Sequence, residues 1–361
     1  MRLLFVTMGP DFGPGLRSKW IMQGTIIKNL EGRRIECRRV VREEYLGNVV
    51  MRLPVLNMRK KRSFERLLGE FGPDAVILDI PTDLGPIAAG MGIPVLVYFW
   101  DLWMARKMAW ESRMIRHSLF LAARARIMDS CLRNAAVILA ETDPVSDVIR
   151  RHYPENRVAT FPYSSIDTDY WSGENSGDAM DLRHPCVGLL QNSDWWIKAR
   201  EMLVLPKVME ALPHVTFYWA GTGRHRDRVL AALSVHDNFE YLGELKHPDM
   251  VRRYLSSIDV YGLASGVEMS PYSLKQAMSL ERPVIATDAA GMSETMRHGE
   301  TGFLVGRGDH EGWVGRISQL LGDPEKAQGM GSAGRRFVRD NLDSRVAAER
   351  LVGILEGIRP K

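Results

Sequence analysis

A chain of 361 residues, 45% hydrophobic and 25% charged, is too long for one typical core and too apolar for disorder, so two globular α/β domains are expected. The formal net charge of +4 hides an asymmetry: residues 1–134 hold 22 Lys and Arg against 13 Asp and Glu, a net +9, whereas residues 135–361 hold 26 against 31, a net −5. Three scattered cysteines, Cys37, Cys131 and Cys186, form neither a disulfide framework nor a metal motif, and no apolar run reaches the ~18 residues of a membrane span, so a reducing cytoplasm is the expected setting.

Met1-Arg2 leads straight into Leu3 to Thr7, which reads as a buried first strand rather than a signal peptide. The glycine- and proline-rich stretch from Gly9 to Gly15 reads as a loop whose backbone, at Gly13 and Gly15, can approach a ligand closely. Ser18 to Leu30 has a helical pattern, and Ile35 to Val41 is a second strand. Ala75 to Ile80 and Pro94 to Phe99 are short apolar runs bounded by turn signals, as central parallel strands are. The second run ends at Trp100-Asp101, where Asp101 can position a hydroxyl or cap the helix that follows. From Trp103 to Leu132 a helical stretch mixes basic residues with Trp103, Trp110 and Phe120. That mixture suits a membrane interface, and equally a helix whose apolar side faces its own core.

Asn134 to Thr142 and Arg157 to Thr160 read as further strands, and Gly173 to Asp181 has the composition of an exposed linker. The boundary is therefore placed there, giving residues 1–175, with a returning helix at 342–361, as the first domain and residues 183–341 as the second. The alternation restarts at Cys186 to Leu190, continues through Val215 to Trp219 and the tight turn at Gly221-Thr222-Gly223, and reaches Phe239 to Leu245. Ile258 to Leu263 then runs into a loop holding Glu268 and a helix opening near Pro271, with Tyr272 and Ser273 in its first turn. Backbone N–H groups there lack partners and the helix dipole favours an anion, so a phosphate fits. Pro283 to Ala286 is the next strand, ending at Thr287-Asp288, and a helix carrying Glu294 follows. Beyond Val305 three helical patterns run to Ile358.

The segment around Glu268 resembles the donor-sugar signature of family 4 of the retaining glycosyltransferases, in which two glutamates are separated by seven residues. Glu268 matches the first, and Gln276 stands where the second would be; Ala277-Met278, Pro283-Val284, Gly291, Glu294 and Thr301-Gly302 also fall where that pattern puts them. The resemblance covers nearly the whole chain, most specifically Val187 to Val305. It implies the GT-B architecture, two Rossmann-like domains facing each other across a cleft. It also implies transfer of a sugar from a nucleotide-diphosphate donor to an acceptor hydroxyl, in a glycan, a lipid-linked sugar or a small molecule, with retention of configuration.

Carried over residue by residue, Lys198 matches a lysine directed at the diphosphate, while Leu189 occupies the position of the family's diphosphate arginine, leaving Arg200 and Arg224 as candidate replacements. Glu268 is expected on the donor sugar hydroxyls and Gln276 on the ribose, unless Lys275 and Gln276 are ordinary solvent-facing helix residues. Leu245 is expected to read the base through its backbone, with Gly223 nearby, and Trp100 replaces a histidine beside Asp101. No cofactor or metal is expected, since no carboxylate pair of the metal-holding kind is present and the donor phosphate itself takes the acceptor's proton.

The expected partners are the nucleotide sugar, a sugar or lipid-linked acceptor, and, from the +9 first domain, an anionic membrane surface at the inner face; no nucleic acid is expected. Two rival readings stay open. The departures at Leu189, Gln276 and Trp100 suit a catalytically silent sugar-nucleotide- or glycan-binding subunit, and the same scaffold serves a sugar-nucleotide epimerase.

Overall fold

The computed structural model describes residues 1–7, 14–45, 54–99, 119–173, 179–289 and 291–358. The described chain divides into two compact units, Met1–Ser165 with Ser344–Lys361, and Ile166–Asp343.

The first unit is built on six parallel strands: β1 (Arg2–Thr7), β2 (Glu36–Val41), β3 (Ala75–Leu78), β4 (Val95–Phe99), β5 (Val137–Ala140) and β6 (Val158–Thr160), in the order β2-β1-β3-β4-β5-β6. β3, β4 and β5 are buried along their whole length. Helices cover both faces of such a sheet, so its central strands are spelled as unbroken apolar runs rather than as an alternation. The edge strand β2 alternates over its first four residues instead, with Glu36 and Arg38 exposed and Cys37 and Arg39 half-buried.

The helix expected from Ser18 begins earlier, at Pro14, and runs to Glu31. Pro14 and Gly15, expected in the loop, therefore belong to its first turn, where proline's fixed φ and missing N–H carry no penalty. Gly13 lies outside the described residues, as do Trp100, Asp101 and the basic-aromatic stretch up to His117-Ser118; the described part of that helix is Leu119–Arg133. The last helix, Ser344–Glu356, packs on the first unit: Ala347, Ala348, Leu351 and Leu355 share a core with Leu3, Phe5 and Ile26, and Asn29 Nδ2 donates to Ser344 Oγ at 3.0 Å.

The second unit repeats the design with β7 (Cys186–Leu190), β8 (Thr216–Ala220), β9 (Phe239–Gly243), β10 (Val260–Leu263), β11 (Val284–Thr287) and β12 (Phe303–Val305), all parallel, in the order β12-β11-β10-β7-β8-β9. Successive residues of β8 serve opposite faces, as the two-residue period of a strand requires. Phe217 and Trp219 join the core with Trp313 and Ile317, whereas Tyr218 and Ala220 join the core with Tyr254, Leu274 and Met278. Three helices follow β12, His310–Gly322, Pro324–Asn341 and Ser344–Glu356, the first two opened by Asp309 and Asp323, whose carboxylates accept from Gly312 N and Lys326 N.

The unit boundary at Ser165 assigns residues 166–173 to the second unit, although the linker-like composition of Gly173 to Asp181 had left them with the first. Ile166 and Trp171 are buried in the second unit's core, and Thr168 Oγ1 donates to Asp343 Oδ2 at 2.6 Å.

Trp313, fully buried against β7, β8 and β10, tests this core. Trp313→Ala is expected to cost about 3–5 kcal/mol, the usual loss for an aromatic truncated in a packed interior. Urea unfolding should show a clearly lowered midpoint, and an unchanged one would show that the side chain is not part of the core.

Candidate functional site

In an open parallel sheet, ligands gather at the carboxyl ends of the strands, beside the point where strand order reverses. In the second unit the chain goes from β7 outward to β8 and β9, then returns to the other side of β7 for β10. The reversal thus lies between β7 and β10, and the loops after these two strands carry the expected donor residues.

Those loops are tied to one another and to the loop after β8 by hydrogen bonds. Gln191, directly after β7, donates from Nε2 to Ala264 O after β10 at 2.9 Å, and Ser193 N donates to Thr222 O after β8 at 2.8 Å. Gly266 N donates to Lys198 O at 3.1 Å, and a Cβ at Gly266 would stand 2.3 Å from Ile197 O. Only a glycine permits this approach, which brings the Glu268 loop onto the short Trp196–Ala199 helix. Gly223 serves a similar packing role: its φ is +137° and a Cβ would meet the Ser193–Asp194 backbone at 2.6 Å.

Lys198 and Glu268 meet across this junction, with Nζ 2.8 Å from Oε1. The glutamate is buried and the lysine side chain is a third exposed, so the pair has one protein-facing and one open side. Downstream of Glu268, Pro271 caps the Tyr272–Ser279 helix without a side chain able to accept a hydrogen bond. Among the described residues, the first-turn N–H groups of Tyr272 and Ser273 are left to an external acceptor. Ser273 Oγ sits 2.7 Å from the buried Tyr261 hydroxyl, which fixes its side chain.

Gln276 and Lys275 are both buried, which overturns the alternative that they face solvent. Gln276 Nε2 lies 3.1 Å from His247 Nε2, and Lys275 Nζ donates to Ser270 Oγ at 2.8 Å. His247 is a residue that the sequence reading missed. It stands in the loop between β9 and the Asp249–Ser257 helix, with Trp171 and Tyr272 rings at 5.7 and 6.3 Å, and burial pushes its imidazole below the usual histidine range. The signal available in the sequence was a His-Pro dipeptide directly after the strand expected to read the base.

The remaining expected residues are not all gathered here. Leu245 is buried in the core with Tyr254 and Leu274. Leu189 is fully buried among Val187, Ala199, Trp219 and Trp313, so position 189 points into the apolar layer. A leucine there follows from the packing, and a charged arginine would have to be desolvated. Arg200 and Arg224 are exposed, and Arg224 N donates to Asp194 Oδ1 at 3.2 Å. Gly15 is in the first unit's opening helix, and Gly13 and Asp101 are outside the described residues.

The first unit also carries buried polar groups at the carboxyl ends of its strands. Thr7 Oγ1 donates to Asp79 Oδ2 at 2.7 Å, and Glu141 accepts from Tyr98 Oη and, at 3.2 Å, from Ser164 N. Among the described residues, the side chains able to ligate a metal together are His184, Cys186 and Asp259, with donor atoms within 4.8 Å of one another. They stand at the amino ends of β7 and β10, the opposite edge from Glu268. Asp259 Oδ2 there accepts from Cys186 N at 2.8 Å and pairs with His184 Nδ1 at 2.8 Å, and burial pushes the Cys186 thiol up to about 12. These bonds describe a strand-end cap.

Residues 185–323 match the family described as "Glycosyl transferases group 1". The chain is 28% identical over 169 residues to a GDP-mannose-dependent monoacylated alpha-(1-6)-phosphatidylinositol monomannoside mannosyltransferase of Corynebacterium glutamicum, covering 44% of each chain. It is 30% identical over 181 residues to the putative glycosyltransferase EpsD of Bacillus subtilis, covering 48% of this chain and 44% of that one. The match thus spans less than half the length of these relatives. Among solved structures, sucrose-phosphate synthase from Thermosynechococcus elongatus superposes with a TM-score of 0.74 over 99% of both chains at 15% identity. Anabaena Alr3699/HepE, solved with UDP and with UDP-glucose, gives 0.70 over 99% of this chain and 100% of that one, also at 15%. Residues 185–323 of this chain are thus similar to the group 1 glycosyl transferases, and the chain has the GT-B fold that solved glycosyltransferases share.

Proposed function

We propose that the protein is a retaining glycosyltransferase, moving a sugar from a nucleoside-diphosphate donor to an acceptor hydroxyl without a metal. The observation that carries this reading is the Lys198–Glu268 pair at the strand-order reversal, with a helix of uncapped amide N–H groups starting just after Glu268. Breaking the bond between sugar and diphosphate builds positive charge on the sugar and negative charge on the leaving group. A lysine and first-turn amides aimed at the diphosphate stabilise that charge where it forms. Glu268, held by Lys198 through one oxygen, keeps acceptor capacity for sugar hydroxyls. The donor phosphate takes the proton from the acceptor, so no dedicated base is needed.

This donor class is supported by a relative named for GDP-mannose and by a fold neighbour solved with UDP-glucose. Incubation with labelled nucleotide sugars separates the readings. Transfer, or slow donor hydrolysis, supports the transferase; an epimerised donor supports the epimerase; binding without turnover supports the silent subunit.

Lys198→Ala should reduce transfer by ~100-fold or more, since a full positive charge leaves a partly desolvated site. A folded variant within about threefold of the unsubstituted enzyme, a difference under ~1 kcal/mol, would show that Lys198 does not face the diphosphate.

The net +9 of residues 1–134 supports a peripheral contact with an anionic membrane or an anionic acceptor. No helix among the described residues is long and apolar enough to cross a membrane, so the contact proposed is with the surface. Co-sedimentation should favour anionic over neutral liposomes at low salt and fall as salt screens the attraction. Equal, salt-independent recovery in the supernatant removes the proposal.

A further inference from the structure

Gln276 is the position at which this chain leaves the motif that it resembles, and the structure supplies it with a partner. Its Nε2 lies 3.1 Å from His247 Nε2. An amide nitrogen can only donate, so His247 Nε2 accepts and the ring is neutral, with its proton on Nδ1. That Nδ1 is buried and has no hydrogen-bond partner among the described residues. The amide nitrogen is therefore held against the ring, and Gln276 Oε1 is turned away from it.

A protonated ring reverses this. Both its nitrogens then carry hydrogen, and an N–H cannot face another N–H. The acceptor that Gln276 can offer is Oε1, so charging His247 turns the amide by half a rotation and points the NH2 group away from the ring instead.

We propose that His247 is a positioning residue that sets which atom of the Gln276 amide faces the nucleotide, so that donor affinity is highest with the ring neutral and falls as it protonates. With the ring neutral, glutamine presents an acceptor oxygen to a ribose hydroxyl, which is what a carboxylate at this position would present. The inference rests on the reading of Gln276 as a donor contact.

The surroundings hold the ring neutral over most of the pH range. Burial lowers its basicity, and among the described residues the opposing group is Asp249, two residues on. Asp249 is exposed, and its carboxylate is engaged by the Tyr170 hydroxyl at 2.7 Å and by Arg252 at 3.6 Å. The other faces of the ring meet Trp171 and Tyr272, the latter a phenol that burial keeps protonated. A histidine whose basicity is lowered on folding is charged only at pH values below its ordinary range. Affinity should therefore be level through neutrality and drop on acidification.

Two measurements on the full chain test this, and they fail separately. Nitrogen-15 NMR of the histidine rings without nucleotide should find His247 as the Nδ1–H tautomer, titrating below the usual histidine range. Gln276→Glu should raise that titration, because a carboxylate stabilises the charged ring. An Nε2–H tautomer in the unsubstituted protein, or a titration untouched by Gln276→Glu, overturns the pairing. Calorimetric titration with UDP-glucose and GDP-mannose, whose diphosphates stay fully ionised, should then show binding about tenfold weaker at about pH 5 than at about pH 8. In His247→Gln, where an amide replaces the titrating ring, the step should vanish. Binding that stays level across the range in which NMR shows His247 charging, or an equal step in His247→Gln, overturns the inference alone. If neither nucleotide sugar binds at any pH while the NMR result holds, the donor reading itself fails, and the proposed role of the pair with it.

Discussion

The second unit is organised by a constraint of backbone contact: the loop after β10 must lie directly on the loop after β7. Parallel strands put all their carboxyl ends on one edge, and the reversal of strand order sets these two loops side by side. Gly266 then allows the chain to come within bonding distance of Lys198 O, where any side chain would strike Ile197 O. The pairing of Lys198 with Glu268 is a consequence of that approach, since the two residues come from separate loops and neither local sequence specifies the other.

Around this junction the polar groups divide into those that are satisfied and those that are left open. Gln191, Ser193 and Thr222 use their hydrogen bonds to hold the loops. Tyr261, on β10, fixes Ser273 from below. Among the described residues, the first-turn amides of the Tyr272–Ser279 helix have no such partner, and Lys198 keeps one side exposed. Such a division gives a rigid frame with a few unspent donors, the arrangement that electrostatic stabilisation of a leaving group requires.

Two departures from the resembled motif have different physical meanings. Leu189 belongs to the apolar core, where it packs with Trp219 and Trp313 and where a guanidinium would lose its hydration. Gln276 is a polar residue with a polar partner, its Nε2 lying 3.1 Å from His247 Nε2. A motif comparison treats both as missing charges. Packing separates an apolar core position from a polar, hydrogen-bonded one.

Much of the fold was legible in the sequence, because parallel strands buried on both faces are written as short apolar runs and punctuated by Gly, Pro and Asp. β3, β4, β7 and the strand preceding Glu268 were each located within a few residues, and three helices were expected after β12. Glu268 and Lys198 were singled out by motif spacing, which records which residue types surround a loop, and the helix start near Pro271 was legible too. What the sequence could not give was contact between residues far apart in the chain. That Lys198 touches Glu268, that Leu189 points inward, that residues 166–173 belong to the second unit, and that His247 engages Gln276 were decided by tertiary structure alone. Each depends on which loops and faces the strand order brings together, and strand order is a property of the folded sheet rather than of any local run of residues.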